Sequence, residues 1–537
     1  MYVLNNPRLN RPAQIPDQMK QLNWIISSFN LTSASFLPFW AQMSDVFGRH
    51  PALQAAIIIM LTGSAICTGA SVSSFGVLLL GRALQGVGAA GVNMAIRTIL
   101  ADRVSLAEYA LNWTFFTLVS GVSFSCGPVI GGYLTRVSWR WCFGINLPVG
   151  VASVLAVFFL LRGELLGPQS LRQTEGHDMA THRGRFLARL TSVDYGGQAL
   201  FLWGLGLLIL ALTWGGGTYP WNSPAVLVPL VAGGLLSVGW IVYERSMSAG
   251  SRGMISGIFP AQTPMIPWEI LSQRDIGLLF FINFTTGIAA FAVMYFLVLY
   301  FVLVEGRSSS EAGTALLFYI PGAGGMFTCT TRPYGRAQLI LWPCACKPCI
   351  AGGLMAMFSS NVWPRQTLPP LLLGSVTSAV GMTVLAWAVH IRSTTLVYGM
   401  MALVGHGVLV RMNPASLHGL AFFPTMTAQI SCLAAFALPF GGLVGLSIMS
   451  TVFTNKSGQE QQYASDGIAW AFIAVAPFMW LCVIATALLG NVWIAKDGSN
   501  QVFDGVYLWN AFVGKGLVGE RITRGGVSEP LALSSLG

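Results

Sequence analysis

This sequence predicts an all-α polytopic membrane protein, and three observations lead there. Of its 537 residues, 54% are hydrophobic and only 9% charged, with a mean hydropathy of +0.65. A soluble domain carries about 25% charged residues to face water. Apolar runs recur along the chain, each near the ~20 residues with which a helix crosses ~30 Å of hydrocarbon. No stretch shows the alternation, about ten residues long, of a membrane-spanning strand.

In order, the runs lie at 22–43, 52–72, 76–96, 112–135, 143–162, 195–214, 225–243, 278–303, 313–328, 368–389, 394–411, 429–453 and 468–494, thirteen in all. The run at 313–328 is short. The plan that follows is an N-terminal bundle over 1–162, a polar and basic cytoplasmic loop over 163–192 and two central spans within 193–243. A second cytoplasmic loop covers 244–275, a C-terminal bundle 276–495 and a cytoplasmic tail 496–537. An internal echo suggests duplication. "SDVFGRHP" from Ser44 and "SNVWPRQT" from Ser360 share Ser, Val and Arg at the same offsets, each between two apolar runs. Secondary transporters are commonly built from repeated halves.

The net charge of +10 reads as topology and not as nucleic-acid binding. With the 44–51 loop in the cytoplasm, most of the 29 Lys and Arg fall inside, as the positive-inside bias requires. The nine cysteines form no disulfide framework; Cys67, Cys126, Cys142, Cys432 and Cys482 sit in apolar runs as small buried hydrophobes. "CACKPC" at 344–349 has no histidine or acidic residue close by, so no metal and no cofactor is expected. Residues 1–20 lack the apolar core of a cleavable signal.

Three stretches carry chemistry. In "AQMSDVFGRHPAL" (41–53), Gly48 permits a tight reversal and Pro51 suits the first turn of the next helix. Asp45 can accept hydrogen bonds from a helix N-terminus, and Arg49 can pair with an acid. In "LLLGRALQGVGAAGV" (78–92), Arg82 lies about two turns into a span. An arginine at that depth costs at least ~2.5 kcal/mol, so it faces protein or a wet cavity. Gln85 shares its helix face, and Gly86 with Ala90 makes a small-residue seam.

In "GVSFSCGPVIGG" (121–132), Gly127 and Gly131 stack on one face with Gly132 beside them, while Pro128 removes a backbone hydrogen bond. A bent helix packed closely on a partner is expected. Directly after, "SWRWCFGINLPVG" (138–150) places Trp139, Arg140 and Trp141 at an interface. Asn146 enters the next span, to bond across helices or to meet substrate.

At these residues the chain resembles the major facilitator superfamily. "SDVFGRHP" is similar to its motif between spans two and three, "GRALQGVGAAG" to its fourth-span arginine motif and "GPVIGG" to its antiporter motif. "WRWCFGINLPVG" looks like the fourteen-span drug:proton antiporter branch, especially fungal carriers of toxins and secondary metabolites, and the central pair agrees. The resemblance implies two helical bundles around a central cavity with two extra central spans, and proton-driven export by alternating access. It implies Asp45, Gly48 and Arg49 in a cytoplasmic latch, Arg82 and Gln85 on the cavity side and Gly127–Gly132 in a bend favouring antiport.

Two departures are expected. The first apolar run already matches the family's second span, so the first span and its acidic residue are missing; Asp45, Asp102, Glu305 and Glu311 sit at ends or in loops. Residues 328–353 interrupt a span with Pro, Cys and Arg, as an unspliced intron or misassigned exon would.

The expected function is export of drugs, toxins or secondary metabolites across the plasma membrane by a monomer, with a small organic solute, protons and the bilayer as partners. Phe115, Phe116, Asn283, Phe284, Tyr295 and Tyr319 are candidate cavity residues, with packing as the competing role. Asn455 in "NKS" is a candidate glycan acceptor. The alternatives are a vacuolar basic amino-acid transporter, which would favour an acidic cavity, and an inactive gene product. No catalytic constellation argues for an enzyme.

Overall fold

The computed structural model describes residues 24–25, 28–71, 74–102, 106–168, 182–216, 219–248, 262–316, 319, 359, 365–423, 426–456, 464–494, 500–503, 505–508, 519–522 and 528–531. Residues 1–23 and 328–353, on which the missing-span and insertion expectations rest, lie outside these.

The helices, in chain order, are α1 Leu37–Phe47, α2 Arg49–Gly69, α3 Phe75–Ala101, α4 Leu106–Val137, α5 Trp141–Gly144, α6 Asn146–Leu160, α7 His182–Thr191 and α8 Tyr195–Trp214. They continue as α9 Pro224–Ser248, α10 Trp268–Ser272, α11 Arg274–Leu299, α12 Ser309–Ala315, α13 Leu368–His390, α14 Thr394–Phe422, α15 Thr427–Lys456 and α16 Ala464–Ala487. Among the described residues, ten helices are long and apolar enough to cross a membrane. The protein is therefore a multi-pass membrane protein.

Local chemistry sets several boundaries. Gly48 separates α1 from α2 at φ +97°, a conformation side chains resist. Asp194 caps α8 by accepting from the Gly197 N–H, and Ser308 with Glu311 forms a capping box on α12. Proline lies inside α9, α14, α15 and α16, at Pro229, Pro414, Pro439 and Pro477. Such positions are tolerable where neighbouring groups take over the freed carbonyl.

The last apolar run, expected to stay helical to 494, stops at Ala487. Asn491–Trp493 is instead a strand, β1, antiparallel to β2 at Asn500–Phe503. Strands β3, Gly519–Ile522, and β4, Ser528–Leu531, complete an antiparallel sheet in the order β1-β2-β3-β4. The physical reason is pairing with the start of α13. The Thr367 N–H donates to Val492 O, the Ile494 N–H to Arg365 O and the Leu368 N–H to Asn491 Oδ1.

The chain divides into two compact units. One comprises Met1–Val104, Tyr133–Ile288 and Phe423–Asn455. Within it, Leu53, Ile57, Ala95 and Val157 form a buried cluster joining α2, α3 and α6. Phe201 of α8 meets Phe436 of α15, which in turn meets Phe280 of α11. The other unit comprises Ser105–Gly132, Ala289–Phe422 and Lys456–Gly537. There α13 packs on α14 and α16, and Ser375 Oγ lies 3.0 Å from Thr486 Oγ1.

Close helix approach occurs where glycine stands opposite backbone. A Cβ at Gly441 of α15 would overlap the Phe284 carbonyl of α11, and one at Gly287 would overlap the Leu438 carbonyl. Helix α4 runs unbroken through Pro128, and a Cβ at Gly127 would meet nothing within 4 Å; of the three glycines expected in its seam, Gly132 is buried.

These two surroundings predict opposite responses. Gly441→Ala should destabilise the solubilised protein by about 1–3 kcal/mol through overpacking. Gly127→Ala should stabilise α4 by about 0.5–1 kcal/mol, because glycine is a poor interior helix residue. Thermal midpoints in detergent measure both, and a large loss for Gly127→Ala would favour the seam.

Candidate functional site

Arg49 is the centre of the first cluster. Its Nη1 donates to Asp45 Oδ1 at 2.5 Å and to Ser44 Oγ at 3.1 Å, and its Nε to Asp102 Oδ2 at 3.0 Å. Asp45 is one turn back on α1, while Asp102 follows the last residue of α3, so one guanidinium ties three helix ends. Asp45 and Arg49 are both buried, at 8% and 6% exposure. Gln429 Nε2 of α15 donates to Asp45 Oδ2 at 3.5 Å. The Arg49 N–H donates to Leu166 O, and Gly48 leaves room for Gly167 and Pro168. The sequence singled out the acid, the glycine and the base; Asp102 was visible only as a residue at a span end.

Arg82 is the centre of the second. It lies in the second turn of α3, half-buried, and Nη1 donates to Gln85 Oε1 at 2.8 Å. Gln85 passes the chain on: its Nε2 donates to Ser64 Oγ of α2 at 2.8 Å. Arg82 Nε donates to Ile25 O at 3.2 Å, and the guanidinium lies 4.4 Å from the Phe29 ring centroid. No carboxylate pairs with Arg82 among the described residues. Its charge is solvated by an amide, a carbonyl and an aromatic face, the last worth up to ~2 kcal/mol when desolvated.

Helix contact around this cation depends on small residues. Gly86 faces Thr32 and the Phe29 carbonyl, while Gly81 and Gly63 let α3 and α2 touch. Thr32 Oγ1 donates to Ala83 O at 2.9 Å, and Trp40 Nε1 donates to Val87 O at 2.9 Å. Residues 28–47 are thereby fastened along the Gly86 side of α3.

Of the remaining candidates, Asn146 is exposed at the first residue of α6, with no bond across helices among the described residues. Asn283 is buried, but its Nδ2 donates back to Leu279 O on its own helix at 3.0 Å. Tyr295 packs edge-on against Phe296. The Tyr319 hydroxyl is buried without a hydrogen-bond partner, and Asn455 is exposed near the end of α15.

Buried charged residues that the sequence did not single out include Arg411, Asp194 and Glu244, with Arg97 and Asp275 buried as well. Arg411 of α14 is wholly buried and donates from Nη1 to Cys482 Sγ at 3.3 Å. Asp194 and Glu244, both at 0% exposure, lie at the ends of α8 and α9. Their position at span edges hid them, since hydropathy places such residues in water. Only the order acid–Tyr–Gly–Gly at 194–197, a helix-start pattern, pointed to Asp194.

Among known proteins, the chain is 29% identical over 372 residues to the MFS-type transporter gkaD of Penicillium citrinum, covering 68% of this chain and 59% of that one. It is 30% identical over 315 residues to the efflux pump FUS6 of Gibberella fujikuroi, covering 58% and 50%. The chain thus spans less than two thirds of the length of these relatives. A solved structure of an auto-inhibited POT family peptide transporter superposes with a TM-score of 0.53 at 15% identity, over 90% of this chain and 91% of that one. That likeness concerns the fold. The Major Facilitator Superfamily signature matches residues 16–446. The ten apolar helices, the buried Arg49 cluster and the Arg82 chain of polar contacts therefore sit in a protein that belongs to the major facilitator superfamily.

Proposed function

We propose that this protein is a secondary active transporter exporting amphipathic organic compounds, such as drugs, toxins or secondary metabolites, in exchange for protons by alternating access. It acts as a monomer in the plasma membrane. The observation that carries the reading is Arg82, a cation on an apolar helix whose partners are Gln85, a backbone carbonyl and the Phe29 ring. A charge kept at that depth by neutral groups is suited to meet a passing solute or respond to a proton. The Gibberella fujikuroi relative carries the name efflux pump, which supports the outward direction.

In this reading the pair α8 and α9 is additional to the family's basic set of spans. The 127–132 stretch acts in the exchange cycle, and Tyr295 and Tyr319 contact the solute. The Asp45–Arg49–Asp102 cluster serves as a cytoplasmic latch. Asn455 carries a glycan where the end of α15 meets the outside.

Two outcomes test the reading. Arg82→Ala should reduce efflux to the level of cells lacking the gene while protein abundance holds, measured as intracellular accumulation across a panel of amphipathic compounds. Wild-type accumulation in that variant would remove Arg82 from the mechanism. Arg49→Ala leaves Asp45 buried and unpaired, at a cost of about 3–5 kcal/mol. A lower thermal midpoint in detergent is expected, and Asp45→Asn in the same chain should recover part of it.

A further inference from the structure

The α8–α9 pair meets α1 and residues 262–266 around two carboxyl groups and, among the described residues, no cation. Asp194 Oδ1 accepts from the Gly197 N–H at 2.8 Å and from the Tyr243 hydroxyl at 2.9 Å. Its own backbone N–H donates to Gln42 Oε1 of α1, and Gln42 Nε2 donates to Thr263 O. Glu244, next to Tyr243, accepts on Oε1 from the Ile266 N–H at 3.4 Å. Both acids are wholly buried, and Asp194 Oδ2 and Glu244 Oε2 have no hydrogen-bond partner.

The neighbouring elements bring no counter-charge among the described residues. From α1 the site receives neutral Gln42, from α9 the Tyr243 hydroxyl and from 263–266 only backbone groups. Arg189 of α7 is engaged with Val46 O, and Arg245 lies over the Trp268 ring. Two carboxylates cannot both stay ionised in such a place; one takes a proton. Burial holds the Asp194 carboxyl above the ordinary aspartate value, with hydrogen bonds from Gly197, Tyr243 and Met265 acting in the opposite sense.

We propose that Asp194 and Glu244 form a proton-binding site, in which one proton shared by the pair holds α8 and α9 against α1 and residues 262–266. Asp194 accepts from two close donors, the Gly197 N–H and the Tyr243 hydroxyl, which support a negative charge there. The pair titrates as a unit. This site concerns the folded chain alone and stands whether or not solute export is coupled to protons.

The sign of the linkage gives the test. The folded chain keeps a proton that the unfolded chain releases above the ordinary carboxylate range. Stability therefore falls as pH rises, the unfolding equilibrium shifting by up to about tenfold per pH unit. For the full-length protein in detergent, the thermal midpoint should drop between about pH 5 and about pH 8, a window above free carboxylate values. Glu244→Gln, which is neutral throughout, should flatten that profile and exceed the wild type at the alkaline end. A Glu244→Gln profile as steep as the wild type's overturns the proposal. So does a wild-type midpoint that responds to sodium at fixed pH but not to pH, which would make the ligand a metal cation. Should the variant fail to fold, infrared spectra of the wild type decide: a protonated-carboxyl band at neutral pH, lost on alkalinisation, is expected. Its absence refutes the site.

Discussion

A chain with few charges, folded in hydrocarbon, must supply the solvation that water would otherwise give. Arg49 achieves this with two carboxylates and a hydroxyl, and the ends of α1, α2 and α3 meet where that guanidinium is satisfied. Arg82 uses neutral partners instead, and its surroundings differ accordingly. The first cluster pairs its cation directly with acids. The second leaves a positive charge with its counter-charge unassigned, which is the electrostatic condition for responding to something that arrives.

Packing follows the same constraint. Apolar side chains gain little by leaving lipid for each other, so contact area and hydrogen bonds decide which helices touch. That is why Gly63, Gly81 and Gly86 surround Arg82, and why Gly287 and Gly441 let α11 and α15 meet backbone to backbone. Where helices approach this closely, a side chain such as Gln85 can span from one to the next with a bond of 2.8 Å.

Much of this was legible in the sequence, and the failures have physical causes. The spans followed from hydropathy because bilayer thickness sets helix length. Gly48 and Arg49 followed from the needs of a short reversal. Arg82 and Gln85 followed from helical spacing, which puts residues three apart on one face. What spacing cannot show is the other side of a contact. Gly127 has open space where a neighbour was expected, and Asp102 joined Arg49 across 53 positions of chain. Apolar composition also misread residues 488–494, because "NVW" at 491–493 serves a strand as well as a helix and pairing with residues 365–367 settled the matter.

That pairing reaches beyond the last helix. The first amides of α13 find acceptors on residues 491 and 492, so the stretch after Ala487 caps a helix begun more than a hundred positions earlier. A shortened version ending near Gly490, or a fluorescent reporter spliced in at that point, would strip those acceptors and fray α13 from its first turn. Labels belong past the final strand, where the backbone has already done its work for its neighbour.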